Sequence, residues 1–358
     1  MMDERINRLV KPLVRESSAY QVQDSAGMIK LDAMENPFSW PGKLRQGWLE
    51  RLADIQVNRY PDAEGTALKR LLREVYAIPD TQEILLGNGS DEIIQMICLA
   101  LDGSPVVILA PEPTFAMYSV IAGFTGARYA GVPLRHDFSL DRDAMLQAID
   151  RYQPTVIFLA CPNNPTSNLF SDDVITEILN HAPGLVVIDE AYHEFAGTSH
   201  LGKLESFPNL LVMRTLSKLG LAGLRLGFMV GEGDWIKELN KVRLPYNINV
   251  LTQRSAEFAL EHMQILVDQA NRICRYRQEL YTILDAMDFI QVWPSATNFL
   301  LFRPETEDSD KVFAGLKQHG ILIKNLSGVH PLLAGCLRVT VGSEPDNAAF
   351  IAALRALL

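Results

Sequence analysis

Four short segments of the sequence place polar, chemically capable side chains directly after runs of apolar residues. EILLGNGSDEII contains Ser90 and Asp91, TVIFLACPNNPTS contains Asn164, LVVIDEAYHEF contains Asp189, and RTLSKLGLAGLRLGF contains Lys218. In open α/β sheets, ligands bind at the carboxyl ends of the strands. If each apolar run is a strand of one sheet, these four segments are predicted to contribute to a shared site.

The first segment has the composition of an anion-binding turn. Gly87, Asn88 and Gly89 follow a predicted strand, and Ser90 and Asp91 begin a predicted helix. Free backbone N–H groups at a helix start can hold a phosphate. An ordinary strand-to-helix turn with a capping residue has the same pattern, so the segment alone leaves both interpretations open.

The second and third segments each end a buried strand in a polar group. Proline restricts the residue before it, which predicts an extended loop holding the Asn164 amide towards the strand end. An ordinary Asn-Pro turn is the alternative. The carboxylate of Asp189 is costly to bury unless it is paired, and a cationic ring nitrogen would suit it. The alternative is an aspartate that caps a loop.

The fourth segment is the most specific. Lys218 follows a predicted strand, and Arg225 lies seven residues further on. Gly220, Ala222 and Gly223 stand between them and allow the backbone to approach a ligand closely. A surface lysine and a structural arginine are the alternative, but the four segments taken together favour a functional site.

The elements that must position these residues follow from the hydrophobic pattern. From about residue 80 to 250, short apolar runs alternate with helical patterns, which predicts an α/β fold with a mainly parallel central sheet flanked by helices. A long helical stretch at roughly 251–287 and a smaller α+β pattern follow. We therefore predict an N-terminal arm (1–30) that is part of the small domain, a large domain (31–250) and a small C-terminal domain (251–358).

Composition limits the class of protein. The chain has 358 residues, is 48% hydrophobic and carries a formal net charge of -10, which argues against a nucleic-acid binder. The start alternates charges, and no apolar run approaches the roughly 20 residues that span a bilayer, so we expect no membrane contact and a cytoplasmic location. The four cysteines and seven histidines show no metal-ligand spacing, so no metal is expected.

In order and spacing, the four segments resemble the fold-type I pyridoxal-phosphate aminotransferases, and nearly the whole chain resembles the histidinol-phosphate aminotransferase family. The resemblance implies pyridoxal 5'-phosphate as cofactor, carried by Lys218 as a Schiff base. It implies that Asp189 pairs with the ring nitrogen and that Asn164 and Tyr192 contact the ring oxygen. Transamination between histidinol phosphate and 2-oxoglutarate, in histidine biosynthesis, is the implied activity.

The same resemblance implies the remaining site residues. Phe115 matches an aromatic residue that stacks on the cofactor. The cofactor phosphate would be held by Ser90, Asp91, Thr215, Ser217 and Arg225, and by Tyr60 from the neighbouring subunit of a homodimer. Tyr20, Asn36 and Arg338 would bind the substrate. Lys324 stands where many relatives have arginine, so the sequence leaves open how the phosphate of the substrate is shared between Arg338 and Lys324. After Asn-Pro-Thr, where the family often has glycine, a left-handed residue is expected at Asn168.

Other functions remain to be weighed against this one. An aromatic amino-acid aminotransferase or a phosphothreonine decarboxylase of the same fold would share the cofactor residues and differ only in the substrate pocket. A cofactor-binding regulator would need an added basic helix-turn-helix segment, which the predicted arm is too short to supply. A dinucleotide-binding protein is disfavoured, because no GxGxxG follows the first strands.

Overall fold

The secondary structure alternates between strands and helices through most of the chain in the computed structural model, which describes residues 4–16, 18–19, 22–103, 105–305 and 308–358. The strands are β1 (Ile29–Lys30), β2 (Gln82–Gly87), β3 (Val107–Glu112), β4 (Arg128–Pro133), β5 (Val156–Ala160), β6 (Leu185–Asp189), β7 (Leu210–Thr215), β8 (Gly227–Glu232), β9 (Ile290–Val292), β10 (Phe299–Pro304), β11 (Ile321–Leu322), β12 (Lys324–Asn325) and β13 (Leu337–Thr340). The helices are α1 (Glu4–Leu9), α2 (Pro12–Glu16), α3 (Gly42–Ala53), α4 (Thr66–Tyr76), α5 (Ser90–Ala100), α6 (Met117–Thr125), α7 (Arg142–Tyr152), α8 (Asp172–His181), α9 (His193–Ala196), α10 (Gly233–Asn240), α11 (Val250–Glu261), α12 (Met263–Asp285), α13 (Ser309–Gln318) and α14 (Glu344–Leu357). None of these described helices is both long and apolar enough to cross a membrane.

The central sheet has the strand order β2-β8-β7-β6-β5-β3-β4 and is mainly parallel. Only β8, among its described strands, runs antiparallel to its neighbours, β2 and β7. Every residue of β5 and β6 is buried, because α5, α6 and α10 pack on one face of the sheet and α4, α7 and α8 on the other. This arrangement confirms the predicted α/β class.

A second, antiparallel sheet lies in the C-terminal part, with the order β12-β13-β10-β9. Apolar side chains of α12, α13 and α14 pack against it in a separate buried cluster. The N-terminal strand β1 pairs in parallel with β11, so residues 29–30 join this part of the molecule. The predicted division at residues 30 and 250 stays a prediction.

The helical stretch predicted at 251–287 is two helices, α11 and α12. The helix breaks at His262, whose φ and ψ are -116° and 27°. The ring of His262 donates from Nδ1 to the carbonyl of Phe258 at 2.8 Å, a side-chain bond that competes with continuation of the helix. The hydrophobic periodicity on both sides of this residue gave no sign of the break.

The loop after β5 is a turn and not the extended segment expected from its prolines. The backbone N–H of Ser167 donates to the carbonyl of Asn163 at 2.9 Å. The left-handed residue is Ser167, with φ of 65°, and not Asn168. The side chain of Asn168 instead donates to the carbonyl of Phe138 and accepts from the hydroxyl of Thr166, and these contacts fix its backbone.

Candidate active site

Most of the site residues predicted from the sequence line one cavity at the carboxyl ends of the central strands. From the predicted set, the wall contains Ser90, Asp91, Phe115, Asn164, Asp189, Tyr192, Thr215, Ser217, Lys218 and Arg225. Met34, Ala160, Pro162 and Ala191 also contribute to it. The cavity thus combines an amine, carboxylates, an amide, hydroxyls and a guanidinium between apolar surfaces.

Three neighbouring strands bring the central polar groups together. Asp189 is the last residue of β6, and Asn164 lies in the loop that follows β5. Lys218 lies in a short π-helical turn, Ser217–Leu221, that follows β7. Because these strands are adjacent and parallel, their carboxyl ends meet at one edge of the sheet. The convergence depends on the tertiary fold, since Asn164 and Lys218 are far apart in sequence.

Asp189 is a buried carboxylate with defined hydrogen-bond donors. Its Oδ2 accepts from the hydroxyl of Tyr118 at 2.8 Å, and its Oδ1 accepts from the backbone N–H of Ala191 at 3.0 Å. Burial raises the pKa of the carboxyl group to about 6, while the hydrogen bonds from Tyr118 and Ala191 act in the opposite direction. A carboxylate facing a cavity in this state is a suitable partner for a cation.

Lys218 carries an amine that loses its proton more easily than an ordinary lysine. Burial, and next the positive charge of Arg338, lower its pKa to about 8. The Nζ atom donates to the backbone carbonyl of Ala33 at 3.4 Å and lies 6.0 Å from the centre of the Tyr192 ring. Near pH 8 a large fraction of this amine is uncharged, and an uncharged amine is a nucleophile and a base.

Asn164 connects the cavity to a buried arginine behind it. Its Nδ2 donates to the hydroxyl of Tyr192 at 3.3 Å, and its Oδ1 accepts from Nη1 of Arg338 at 2.6 Å. The second guanidinium nitrogen of Arg338 donates to the carbonyl of Asp32 at 2.9 Å. Arg338 also lies over the ring of Phe299, with 5.2 Å between Cζ and the ring centre.

Another part of the cavity wall has the chemistry of an anion site. The helix α5 begins at Ser90, and its amino-terminal end faces the cavity. Arg225 lies beside it and donates from Nη2 to Asp91 Oδ2 at 3.2 Å. Gly227 allows close packing here, since a Cβ atom at this position would lie 2.6 Å from the backbone nitrogen of Ser90. A helix amino terminus beside a guanidinium favours a phosphate or carboxylate.

The other predicted site residues that the structure describes do not line this cavity. Asn36 donates to the carbonyl of Leu219 at 3.0 Å, next to Lys218 in sequence. Tyr60 is 80% exposed, and its ring stacks on that of Tyr246 with 4.4 Å between centres. In the antiparallel register of β12 and β13, Lys324 lies directly opposite Arg338. Tyr20 lies outside the described residues.

Two residues that the sequence reasoning missed belong to the site geometry. Tyr118 is fully buried and donates to Asp189. A tyrosine in the otherwise apolar helix pattern TFAMYSVIAGF was the available signal, because a buried hydroxyl needs a partner. Met34 lines the cavity with a φ of 54°, and its backbone is held by Thr340 and Asn298. Nothing in the local sequence indicated that conformation.

A lysine amine of lowered pKa, a buried aspartate and an anion site, together at the strand ends of an α/β fold, indicate an enzyme that carries out group transfer. Comparison with known families agrees with this class. The profile of the family "Aminotransferase class I and II" matches residues 26–354, and the chain belongs to this family.

Named relatives and solved structures are similar over almost their whole length. The chain is 53% identical over 356 residues to "Histidinol-phosphate aminotransferase 2" of Nitrosococcus oceani, with 99% of each chain covered. It is 48% identical over 362 residues to "Histidinol-phosphate aminotransferase 1" of Ralstonia nicotianae, with coverage of 100% and 96%. The structure of histidinol-phosphate aminotransferase from Sinorhizobium meliloti in complex with pyridoxal-5'-phosphate has a TM-score of 0.86 at 24% identity, with 98% of each chain covered. At that identity, the last similarity supports the fold alone.

Proposed function

We propose that this protein is a pyridoxal-phosphate-dependent aminotransferase that interconverts L-histidinol phosphate plus 2-oxoglutarate and imidazole-acetol phosphate plus L-glutamate, in histidine biosynthesis. The observation that carries the proposal is the meeting of Lys218 and Asp189, on adjacent strand ends, in one cavity. The relatives at 53% and 48% identity support the substrate, since both bear the name of this activity.

The residues of the cavity fit pyridoxal phosphate. The buried carboxylate of Asp189 suits a protonated ring nitrogen, and the anion site at Ser90 and Arg225 suits the phosphate group. Phe115 offers an aromatic ring to the same cavity. When bound, the cofactor supplies an aldehyde that condenses with amines and a ring that accepts the electron pair left when a proton leaves the substrate.

Each polar side chain of the site then has a distinct task. The Lys218 amine would hold the cofactor covalently, and as a free amine it would hold and move the proton at the substrate α-carbon. Asp189 would keep the ring nitrogen protonated, and Asn164 and Tyr192 would donate hydrogen bonds to the ring oxygen. The cofactor phosphate is assigned to Ser90, Asp91, Thr215, Ser217 and Arg225.

Substrate binding is assigned to Arg338, with Lys324, Asn36 and Tyr20 as further candidates. The guanidinium fork of Arg338 suits the carboxylate of glutamate and the phosphate of histidinol phosphate alike. Lys324 lies directly opposite Arg338 on the neighbouring strand, which supports shared binding of the phosphate. Asn36 contacts the backbone that follows Lys218, which supports an indirect role in holding that loop.

The proposal includes a cytoplasmic homodimer in which Tyr60 reaches the cofactor phosphate of the neighbouring subunit. The exposure of Tyr60 supports this assignment, because a tyrosine that serves its own cavity would be expected to face it. The stacked rings of Tyr60 and Tyr246 present a flat aromatic surface, which is typical of residues that make subunit contacts.

A visible absorption spectrum of the purified protein tests cofactor and substrate together. Protein supplied with pyridoxal phosphate should show a band that Lys218→Ala lacks, and histidinol phosphate should change that band. Phenylalanine and phosphothreonine, offered separately, test the aromatic aminotransferase and the decarboxylase of the same fold. Faster turnover of either compound than of histidinol phosphate would overturn the substrate assignment, and wild-type turnover by Lys218→Ala would overturn the mechanism.

A further inference from the structure

Tyr118 makes a buried contact with Asp189 from the first turn of α6. The side chain is fully buried, and its hydroxyl donates to Asp189 Oδ2 at 2.8 Å. A hydrogen bond to an ionised acceptor is shorter and stronger than one between neutral groups. The two residues are 71 positions apart, so the packing of α6 on the sheet creates this contact.

The ring of Tyr118 is fixed on two sides. It stacks on Phe158 of β5, with 4.7 Å between ring centres and 12° between planes. It also meets Phe115 edge to face, with 5.6 Å between ring centres. Because Phe115 lines the cavity, one side chain touches both the aromatic wall and the carboxylate.

The hydroxyl of Tyr118 remains a donor at every physiological pH. Burial, followed by the negative charge of Asp189, raises its pKa well above the ordinary value for tyrosine. The phenol therefore keeps its proton and donates it to the carboxylate oxygen. A donor in this position favours the ionised form of Asp189 over the protonated form.

We propose that Tyr118 is a positioning residue that keeps Asp189 ionised and aimed into the cavity while supporting the ring of Phe115. This inference rests on the proposed function, because it assigns Tyr118 an effect on the cofactor through Asp189. The second oxygen of Asp189 is fixed by the backbone of Ala191, so the hydroxyl of Tyr118 completes the orientation of the carboxylate.

The electrostatic balance at Asp189 explains why one donor has a large effect. Burial alone favours the neutral carboxyl group, and the hydrogen bonds from Tyr118 and Ala191 oppose it. The resulting pKa of about 6 lies close to neutral pH. Without the Tyr118 hydroxyl, the pKa of Asp189 rises further. A protonated Asp189 would no longer hold a proton on a ring nitrogen.

Tyr118→Phe tests this role because it keeps the ring and its packing and removes only the hydroxyl. On the purified holoenzyme, kcat should fall about tenfold, the effect of losing one hydrogen bond to a charged group, while KM for glutamate changes by less than about twofold. The loss of the ring proton, followed by the visible absorbance of the bound cofactor, should move about one unit to lower pH.

Tyr129→Phe is the matched control. Tyr129 is another tyrosine that packs against the same apolar cluster, but its hydroxyl bonds to Glu112 on the neighbouring strand β3. Its removal should leave kcat and the absorbance titration as in the wild type. An equal effect of both substitutions would overturn the proposal, since it would show a general packing defect.

A double substitution shows whether Tyr118 acts through Asp189. In an Asp189→Ala background, Tyr118→Phe should have no further effect on kcat or on the affinity for pyridoxal phosphate. A repeated tenfold loss there would overturn the role through Asp189. A wild-type protein without a cofactor band would overturn the proposed function itself. A normal wild-type band with an unchanged Tyr118→Phe variant would overturn only the role of Tyr118.

Discussion

Arg338 Nη1 lies 2.6 Å from Asn164 Oδ1, a contact between residues 174 positions apart that joins the small antiparallel sheet to the loop after β5. Asn164 in turn donates to the hydroxyl of Tyr192. The residue assigned to the acidic group of the substrate is therefore one hydrogen bond away from a residue assigned to the cofactor. A change at either end is expected to affect the other.

Substitution of Arg338 tests the substrate class. Arg338→Leu should lower kcat/KM for glutamate and for histidinol phosphate by about 30- to 150-fold, because a charge-assisted bidentate contact is lost. The cofactor absorbance should shift as well, since Asn164 loses its partner. An unchanged kcat/KM for both substrates would make Arg338 a purely structural residue.

Lys324→Met is the matched variant, because Lys324 pairs with Arg338 across neighbouring strands but does not contact Asn164 in the described structure. We expect KM for histidinol phosphate to rise by about tenfold, because one hydrogen bond to a charged group is lost. KM for glutamate and the absorbance of the cofactor should not change. A loss with glutamate alone would contradict the shared phosphate assignment.

The pKa of Lys218 predicts how cofactor binding depends on pH. The association rate of pyridoxal phosphate with cofactor-free protein should rise with pH through about 8, because the uncharged amine is the reacting form. Stopped-flow absorbance from pH 6 to about pH 11 measures it. Arg338→Leu should move the midpoint to higher pH, since the Arg338 charge helps to lower this pKa. A wild-type midpoint near 10.5, the ordinary lysine value, would contradict the prediction.

The buried carboxylate of Asp189 is predicted to destabilise the cofactor-free protein at neutral pH. Its pKa in the folded protein, about 6, is above the reference value of 3.8, so the folded state binds more protons between these values. The free energy of unfolding should therefore fall as pH rises from about 4 to about 6. Asp189→Asn should remove this slope, be more stable at pH 7 by roughly 1 to 3 kcal/mol, and lose most turnover.

Asp137→Asn provides a control of opposite sign. Hydrogen bonds from the side chain and backbone of Ser139 lower the pKa of Asp137, so its stabilising effect is present at neutral pH and disappears as pH falls below about 4. This substitution should reduce stability slightly at pH 7 and leave turnover unchanged. Urea titrations of both cofactor-free variants between pH 3 and pH 8 give the comparison. If both substitutions changed the free energy of unfolding at pH 7 in the same direction, the assigned pKa directions would be contradicted.

Subunit exchange tests the assignment of Tyr60. If Tyr60 serves the neighbouring site, mixing Tyr60→Ala with Lys218→Ala should restore activity at about a quarter of all sites, because each hybrid dimer keeps one intact site. Turnover after mixing and dilution measures this recovery. Mixtures that remain inactive despite proven exchange, or an active monomer, would remove Tyr60 from the site of the partner.

The sequence by itself determined the class of fold and the set of groups at the strand ends. Continuous apolar runs such as VIFLA and LVVID predict strands buried on both faces, and this burial requires helices on both sides of a parallel sheet. Parallel strands end at a common edge, so the sequence predicts Asn164, Asp189 and Lys218 at that edge, and the observed strand order β5-β6-β7 makes them neighbours. The resemblance to a known family supplied their assigned roles.

Only the tertiary structure decided which of these groups are in contact and how readily each of them gains or loses a proton. Two contacts join segments that are distant in sequence: Tyr118 with Asp189, and Arg338 with Asn164. The left-handed backbone at Met34 is likewise held by residues far along the chain. Hydrophobic periodicity reports which face of an element is buried, but it does not report which side chain meets it across a packed interface. The pKa values of Asp189 and Lys218 depend on the same packing, because burial and neighbouring charges set them.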